Sequence, residues 1–344
     1  MAIAKSPGPP GPYQVRAARS TAVRLALEMD ETVNVLHNEL ASIGALPLES
    51  ASAESNSRIA YQVGDIRFAV TSHPDLRLAL DPGLLPFETV SQLCDMEITA
   101  EWVDVLKIPA ARPSFESGGL WSAFAENRGT SFYFQTNYLG KSPYKCAWFN
   151  GDFTRGKVQL LKRYFDADLP VYPLEYPLDE LLMIHRLALG EGVEIHACGV
   201  VGADGQGRLF VGHSGAGKST TSRLWLRQPG ATVLSDDRII VRLRNGVPYM
   251  YGTPWHGDAG LAEQASAPIH AVFLLEHASR NEVQPLEPAR AAVELFARTF
   301  VPYHSSSGLA HTLEFLEKLT ARIPVSVFRC TPDAAAVEEI VRAR

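Results

Sequence analysis

The run Gly212-His213-Ser214-Gly215-Ala216-Gly217-Lys218-Ser219 fits the pattern GxxxxGK[ST] at every position. Glycines at this spacing let successive backbone N–H groups turn inward around phosphate oxygens, and the loop must then open directly into a helix N-terminus. Arg208–Val211 before it reads as an apolar strand and Lys218–Arg227 after it as a helix. The segment therefore demands a strand–loop–helix unit of an α/β domain. Lys218 is the point charge for β- and γ-phosphates, and the Ser219 hydroxyl is placed to ligate Mg²⁺. With Thr220, which continues the first turn, residues Gly212 to Ser219 form the nucleotide-contacting set, for which ATP is the expected ligand. Lys218 and Lys318 are the only lysines after residue 163, which fits a need for an ammonium in the loop.

Downstream, the short apolar stretch Val233-Leu234 ends in Ser235-Asp236-Asp237-Arg238. Taken alone this is an acidic turn between strands. Beside a complete phosphate loop it is where a second Mg²⁺ contact belongs, and two adjacent acids allow one to face metal and one an incoming hydroxyl.

The succession Glu194-Ile195-His196-Ala197, a short turn, Leu209–Ser219 and then Leu234-Ser235-Asp236-Asp237-Arg238 resembles the catalytic core of the HPr kinase/phosphorylase family. That family shares its nucleotide-binding fold with ATP-dependent phosphoenolpyruvate carboxykinase, and it enters the loop from a β-hairpin rather than a βαβ strand. The resemblance spans about residues 176–344. It implies that Lys218 binds phosphate, that Ser219 and Asp237 contact Mg²⁺, that Asp236 is the general base, and that His196 lies near the phosphates. Two departures stand out. The family has an acid after the first loop glycine, where this chain has His213, and its Arg-Gly-x-Gly-Ile stretch is replaced by Thr253-Pro254-Trp255-His256-Gly257-Asp258. The chain is thus more similar to HPr-kinase-related proteins, some of which phosphorylate serine in a peptide or as the free amino acid.

The remainder of the chain frames this core. At roughly 150 residues per domain, 344 residues suggest two domains, and 46% apolar with 20% charged residues is ordinary globular usage. Residues 1–14, rich in Pro and Gly, read as a flexible tail. Residues 15–171 read as a β-rich α+β domain that precedes an ATP-binding catalytic domain over 172–344. Val15 to Leu46 has helical spacing; Ile59–Val63 and Ile66–Val70 alternate around Gly64-Asp65 as a hairpin; Met96–Trp102 alternates; and Asn150-Gly151-Asp152 joins a second hairpin. In the second half, helices are expected at 178–185, 218–227, 288–300, 312–322 and 332–344. Strands are expected at 194–201, 208–211, 232–234, 238–243, 271–275 and 324–329.

Several classes are excluded or disfavoured. With 32 basic and 38 acidic residues the net charge is −6, so nothing favours a nucleic-acid partner. Four cysteines without a CxxC pair read as reduced thiols, and no run approaches the ~20 apolar residues of a membrane helix. Met1–Pro12 has no apolar h-region, so a cytoplasmic protein is expected, with no membrane partner and with a homo-oligomer allowed. Arg238, Arg280 and Arg298 are candidate transition-state cations without a distinguishing pattern. Trp255 and His256 would suit either an acceptor pocket or a tight turn with a core tryptophan, and His304 with Ser305–Ser307 reads as a loop. The leading function is an ATP- and Mg²⁺-dependent kinase acting on a serine-type hydroxyl of a protein, peptide or small molecule. The alternative from another class is a nucleotide-binding regulatory or adaptor module.

Overall fold

The computed structural model describes residues 57–136, 139–257 and 259–342. The tail over 1–14, the helix expected over 15–46 and Asp258 lie outside the described residues. The chain divides into two compact units. The first includes Ala69–Asp81 and Glu97–Asp179; the second takes Ala60–Phe68, Pro82–Met96 and everything from Glu180 onward.

The expected first hairpin is present as β1 (Arg58–Val63) and β2 (Ile66–Ser72), turning at Gly64-Asp65. The first unit is built on β3 (Met96–Val103), β4 (Phe115–Glu116), β5 (Trp121–Glu126), β6 (Gly129–Thr136), β7 (Gly140–Asn150) and β8 (Arg155–Leu161). From β3 the sheet runs β3-β8-β7-β6-β5-β4, and every pair is antiparallel except β3–β8, which is parallel. Asn150 begins the turn into β8 and fixes it: its Oδ1 accepts from Thr154 N at 3.0 Å and Arg155 N at 2.9 Å. In the unit's aromatic core the Phe153 ring contacts both Phe132 and Phe149.

Helix α1 (Leu178–Arg186) leads into the second unit, whose strands are β9 (Val193–Val201), β10 (Gly207–Val211), β11 (Thr232–Ser235), β12 (Arg238–Arg244), β13 (Val247–Gly252), β14 (Ser266–His277), β15 (Glu282–Pro285), β16 (Thr299–Phe300) and β17 (Val325–Cys330). The remaining helices are α2 (Lys218–Leu226), α3 (Pro288–Phe296), α4 (Ser306–Thr320) and α5 (Ala334–Arg342). The sheet runs β10-β9-β12-β13-β14-β17-β15, with β11 and β16 also on β9. Two long strands each serve several partners. β9 pairs β12 through Val193–His196 and β10 through Ala197–Val201, while β14 pairs β13 near its start and both β10 and β17, in parallel, further on. β10 is therefore flanked by β9 on one side and β14 on the other.

Helices cover both faces, as an α/β arrangement requires. On one face Ala291, Ala292 and Leu295 of α3 and Phe315, Leu316 and Leu319 of α4 bury Val193, Ile195, Leu209 and Val272. On the other, Trp225 of α2 and Ala336, Val337 and Ile340 of α5 bury Phe210, Phe273 and Phe328.

Several elements differ from the sequence reading, these three among them. The helix from Pro288 ends at Phe296, and Thr299–Phe300, a β-branched and an aromatic residue, pair with β9 instead. Helix α4 begins earlier than expected, because Ser305 caps it by accepting from Gly308 N at 3.1 Å. The β12–β13 hairpin turns on Asn245-Gly246, both at positive φ.

Candidate functional site

The phosphate loop sits at the C-terminal end of β10. Gly215 has φ 81° and Gly217 φ 103°, left-handed values that residues with a Cβ avoid, and they let the loop fold back before α2. Gly217 is the N-cap of α2 and offers no side chain to the helix, so the first amides of α2 receive no side-chain cap. Such an end favours an anion. Ala216 N donates to His213 O at 3.0 Å, and His277 Nε2 donates to Gly215 O at 2.8 Å, bracing the loop from the end of β14. His213, Ser214 and Gly215 are exposed; Ser219 and Thr220 are half-buried in the first turn.

Lys218 is buried, and its Nζ donates to Gly212 O at 3.1 Å and His213 O at 3.2 Å. It also lies 4.0 Å from Asp237 Oδ1. Burial pushes the ammonium below its ordinary value, with the Asp237 charge acting in the opposite sense. His196 Nε2 donates to the same Asp237 oxygen at 2.8 Å. Backbone pairing fixes this meeting: Ala197 N donates to Asp237 O at 3.0 Å, and Arg238 stands opposite His196 in the β9–β12 ladder. Burial by itself would raise the Asp237 carboxyl. The His196 hydrogen bond and the charges of Arg238, His196 and Lys218 outweigh it and hold the group below the usual carboxylate value.

The two acids part company here. Asp236, expected as the general base, is 1% exposed, and its oxygens accept from Gly257 N at 3.1 Å and Ala259 N at 2.9 Å. Asp237 is the acid that meets Lys218 and His196. The segment after β13 thus folds back on Asp236, with Trp255 buried and Thr253 Oγ1 donating to Arg238 O at 2.8 Å. The indole Nε1 of Trp255 is buried without a hydrogen-bond partner among the described residues.

Of the three candidate arginines, Arg280 is 81% exposed and 3.7 Å from Glu282. Arg238 is enclosed: it contacts Asp237 and the buried Glu180 of α1, lies 3.9 Å from the buried Glu194, and stacks over Phe300 at 4.8 Å. Arg298 accepts from His196 N through its carbonyl at 2.8 Å, and its charge is the first cause holding His213 below the ordinary histidine value. Glu180 and His277 were not singled out from the sequence. Glu180 shows there only as an acid beside the apolar stripe of α1, and His277 only as a polar residue just past a strand. His304 Nε2 is 3.1 Å from His185 Nε2.

Among the described residues no group of three or more His, Cys, Asp or Glu side chains is arranged to hold a metal by itself. A Mg²⁺ ion that rides on nucleotide phosphates needs only one or two protein oxygens, and the Ser219 hydroxyl in the first turn of α2 suits that donor set.

Residues 208–280 match the AAA domain family model. That span begins within β10, contains the loop, α2 and the Asp236-Asp237 pair, and ends just after β14. The match and the geometry agree on a P-loop nucleotide-binding domain. A solved structure titled Hpr(Ser) kinase/phosphatase from Coxiella burnetii is similar over 43% of this chain and 93% of that one, at 16% identity and a TM-score of 0.27. No curated protein matches the chain. No helix among the described residues is long and apolar enough to cross a membrane.

Proposed function

We propose that the protein is an ATP- and Mg²⁺-dependent kinase that transfers the γ-phosphoryl group to a serine-type hydroxyl of a protein, peptide or small molecule, in a fold of the HPr kinase and phosphoenolpyruvate carboxykinase type. The observation that carries this reading is the placement of the Asp237 carboxylate 4.0 Å from Lys218 Nζ, at the mouth of the phosphate loop. A carboxylate at this place also suits a Mg²⁺ contact, so transfer to an acceptor, and not nucleotide binding, separates this reading from a regulatory module.

In this reading the loop amides and Lys218 hold the β- and γ-phosphates, and the Ser219 hydroxyl would hold Mg²⁺, which when bound would supply positive charge that neutralises the transferring group. Asp237 orients the acceptor hydroxyl and takes its proton as the new P–O bond forms and the bond to the β-phosphate oxygen breaks. His196 fixes the carboxylate that does this, while Arg238, held by Glu180, fixes its other edge. Asp236 acts through position: by accepting from the Gly257 and Ala259 amides it holds Gly257 beside Asp237.

The experiment is incubation with γ-labelled ATP, Mg²⁺ and a panel of serine-containing peptides, free serine and cell-extract proteins, followed by mass spectrometry of the acceptor. Label on a hydroxyl with wild type and none with Lys218→Ala supports the reading. ATP binding without transfer to any acceptor moves the balance to the regulatory module.

A further inference from the structure

Asp237 is gripped at both carboxylate oxygens. His196 Nε2 donates to Oδ1 at 2.8 Å, and Arg238 Nη1 donates to Oδ2. The half-buried Phe300 ring touches both donors. It lies 4.8 Å from the Arg238 guanidinium carbon and 6.0 Å, centroid to centroid, from the His196 ring. Backbone pairing sets its place: Phe300 of the short strand β16 stands opposite Glu194 of β9, and Arg238 stands opposite His196 on the same strand. The segment after β16 is tied in turn to α1, the helix that carries Glu180, through the 3.1 Å contact of His304 Nε2 with His185 Nε2.

We propose that Phe300 is a positioning residue for phosphoryl transfer: its ring fixes the plane of the Arg238 guanidinium and the tilt of the His196 imidazole, and through them the direction in which the Asp237 carboxylate meets the acceptor hydroxyl. The proposal rests on the reading of Asp237 as the base. Two edge contacts leave a planar guanidinium one freedom. Arg238 is held at Nε by Glu180 and at Nη1 by Asp237, so it can still turn about the line through them. A ring against its face removes that rotation, and the negative face of the ring attracts the cation. The rotation matters because the buried Glu194 lies 3.9 Å from Arg238 Nε, and a turn toward it takes the guanidinium off Asp237. A phenyl ring also has no polar group to compete for either donor's N–H. A misaimed carboxylate costs rate rather than nucleotide binding, because alignment is felt at the reacting atoms.

The test compares wild type, Phe300→Leu and Phe300→Tyr in the full-length protein, using Mg²⁺-ATP and the acceptor found by labelling, or water as the acceptor where none is labelled. Phe300→Leu keeps apolar bulk and loses the ring. It should lower kcat about tenfold, with the ATP Kd and the acceptor KM within about twofold of wild type. Phe300→Tyr, which keeps the ring, should restore most of the loss. Unchanged kcat in Phe300→Leu, a Kd or KM that rises in step with the loss, or Phe300→Tyr as slow as Phe300→Leu overturns the proposal. If Phe300→Leu does not fold, pentafluorophenylalanine at position 300 decides in its place, since it keeps the shape and removes the attraction of the ring face for a cation. A kcat lowered about tenfold supports the proposal and an unchanged one overturns it. Failure of the base reading looks different: Asp237→Asn transfers phosphate as fast as wild type, or wild type transfers none, and the positioning role then falls with it.

Discussion

Lys218 Nζ lies 4.0 Å from Asp237 Oδ1, and that oxygen also accepts from His196 at 2.8 Å. A buried ammonium and a half-buried carboxylate thus share one spot at the start of α2, with the loop's own carbonyls completing the lysine's contacts. This arrangement holds the cation where a phosphate would sit against the uncapped helix end. Lys218→Ala should therefore abolish the rise in melting temperature that Mg²⁺-ATP produces. For wild type at a hundredfold excess over Kd that rise corresponds to about 2.7 kcal/mol. Thermal unfolding with and without nucleotide measures it, and an undiminished shift in the variant would place the nucleotide elsewhere.

Asp236 and Asp237 should respond differently to the same change. Asp237→Asn keeps the shape but loses the proton acceptor. Phosphoryl transfer should drop by about 10²–10⁴-fold while ATP binding persists. Asp236→Asn places an amide NH₂ against one of the two backbone donors at Gly257 and Ala259. Leaving a buried donor unmatched costs about 1–3 kcal/mol, so this variant should lose stability first. Rate and unfolding measurements on both variants check the division. Equal loss of rate with unchanged stability in Asp236→Asn would restore Asp236 as the base.

Why the sequence names the pair but not which of the two meets Lys218 is a matter of register. Adjacent side chains in a tight connection point different ways, and which of them faces the loop depends on Asp237 O accepting from Ala197 of β9. That pairing is between residues far apart in the chain. Local signals fared better: the hairpin into the loop, the Gly64-Asp65 turn and the strand–loop–helix unit all follow from short-range pattern. β6 escaped because Ser131 to Phe134 are buried in succession, so the strand shows no alternation. Asn245-Gly246 is a short-range hairpin signal of the same kind, and it joins β12 to β13. Glu180 could not be read as a partner of Arg238, since their meeting depends on α1 packing near the start of β12.

His185 gives a pH dependence with a definite sign. Burial pushes its imidazole down to about 4, with the neighbouring His304 acting in the same direction. The unfolded chain takes up this proton near pH 6.5 and the folded chain only near 4, so the unfolded state binds more protons in between. Stability is then full above about pH 6.5 and is lost as pH falls toward 4, by on the order of 3 kcal/mol from this group. Urea unfolding of wild type and His185→Gln at several pH values should show a shallower acid slope in the variant. Parallel slopes would mean that His185 is protonated in the folded protein.

Gly212 tests the loop's geometry without touching its charge. A Cβ built there would stand 2.6 Å from the Ala216 Cβ, closer than real side chains approach, so Gly212→Ala must displace one limb of the loop. Lys218 would lose an anchor, because Gly212 O accepts from its Nζ. Nucleotide affinity should fall by about tenfold or more, with little change in the unfolding midpoint of the unliganded protein. The clash has a single partner within 3.5 Å, and removing it should undo the damage. Gly212→Ala combined with Ala216→Gly should therefore recover much of the affinity, a non-additivity expected only for residues in contact. Calorimetric titration of both variants with Mg²⁺-ATP decides it. If the double variant binds no better than Gly212→Ala alone, the close approach of these two residues is not what shapes the loop.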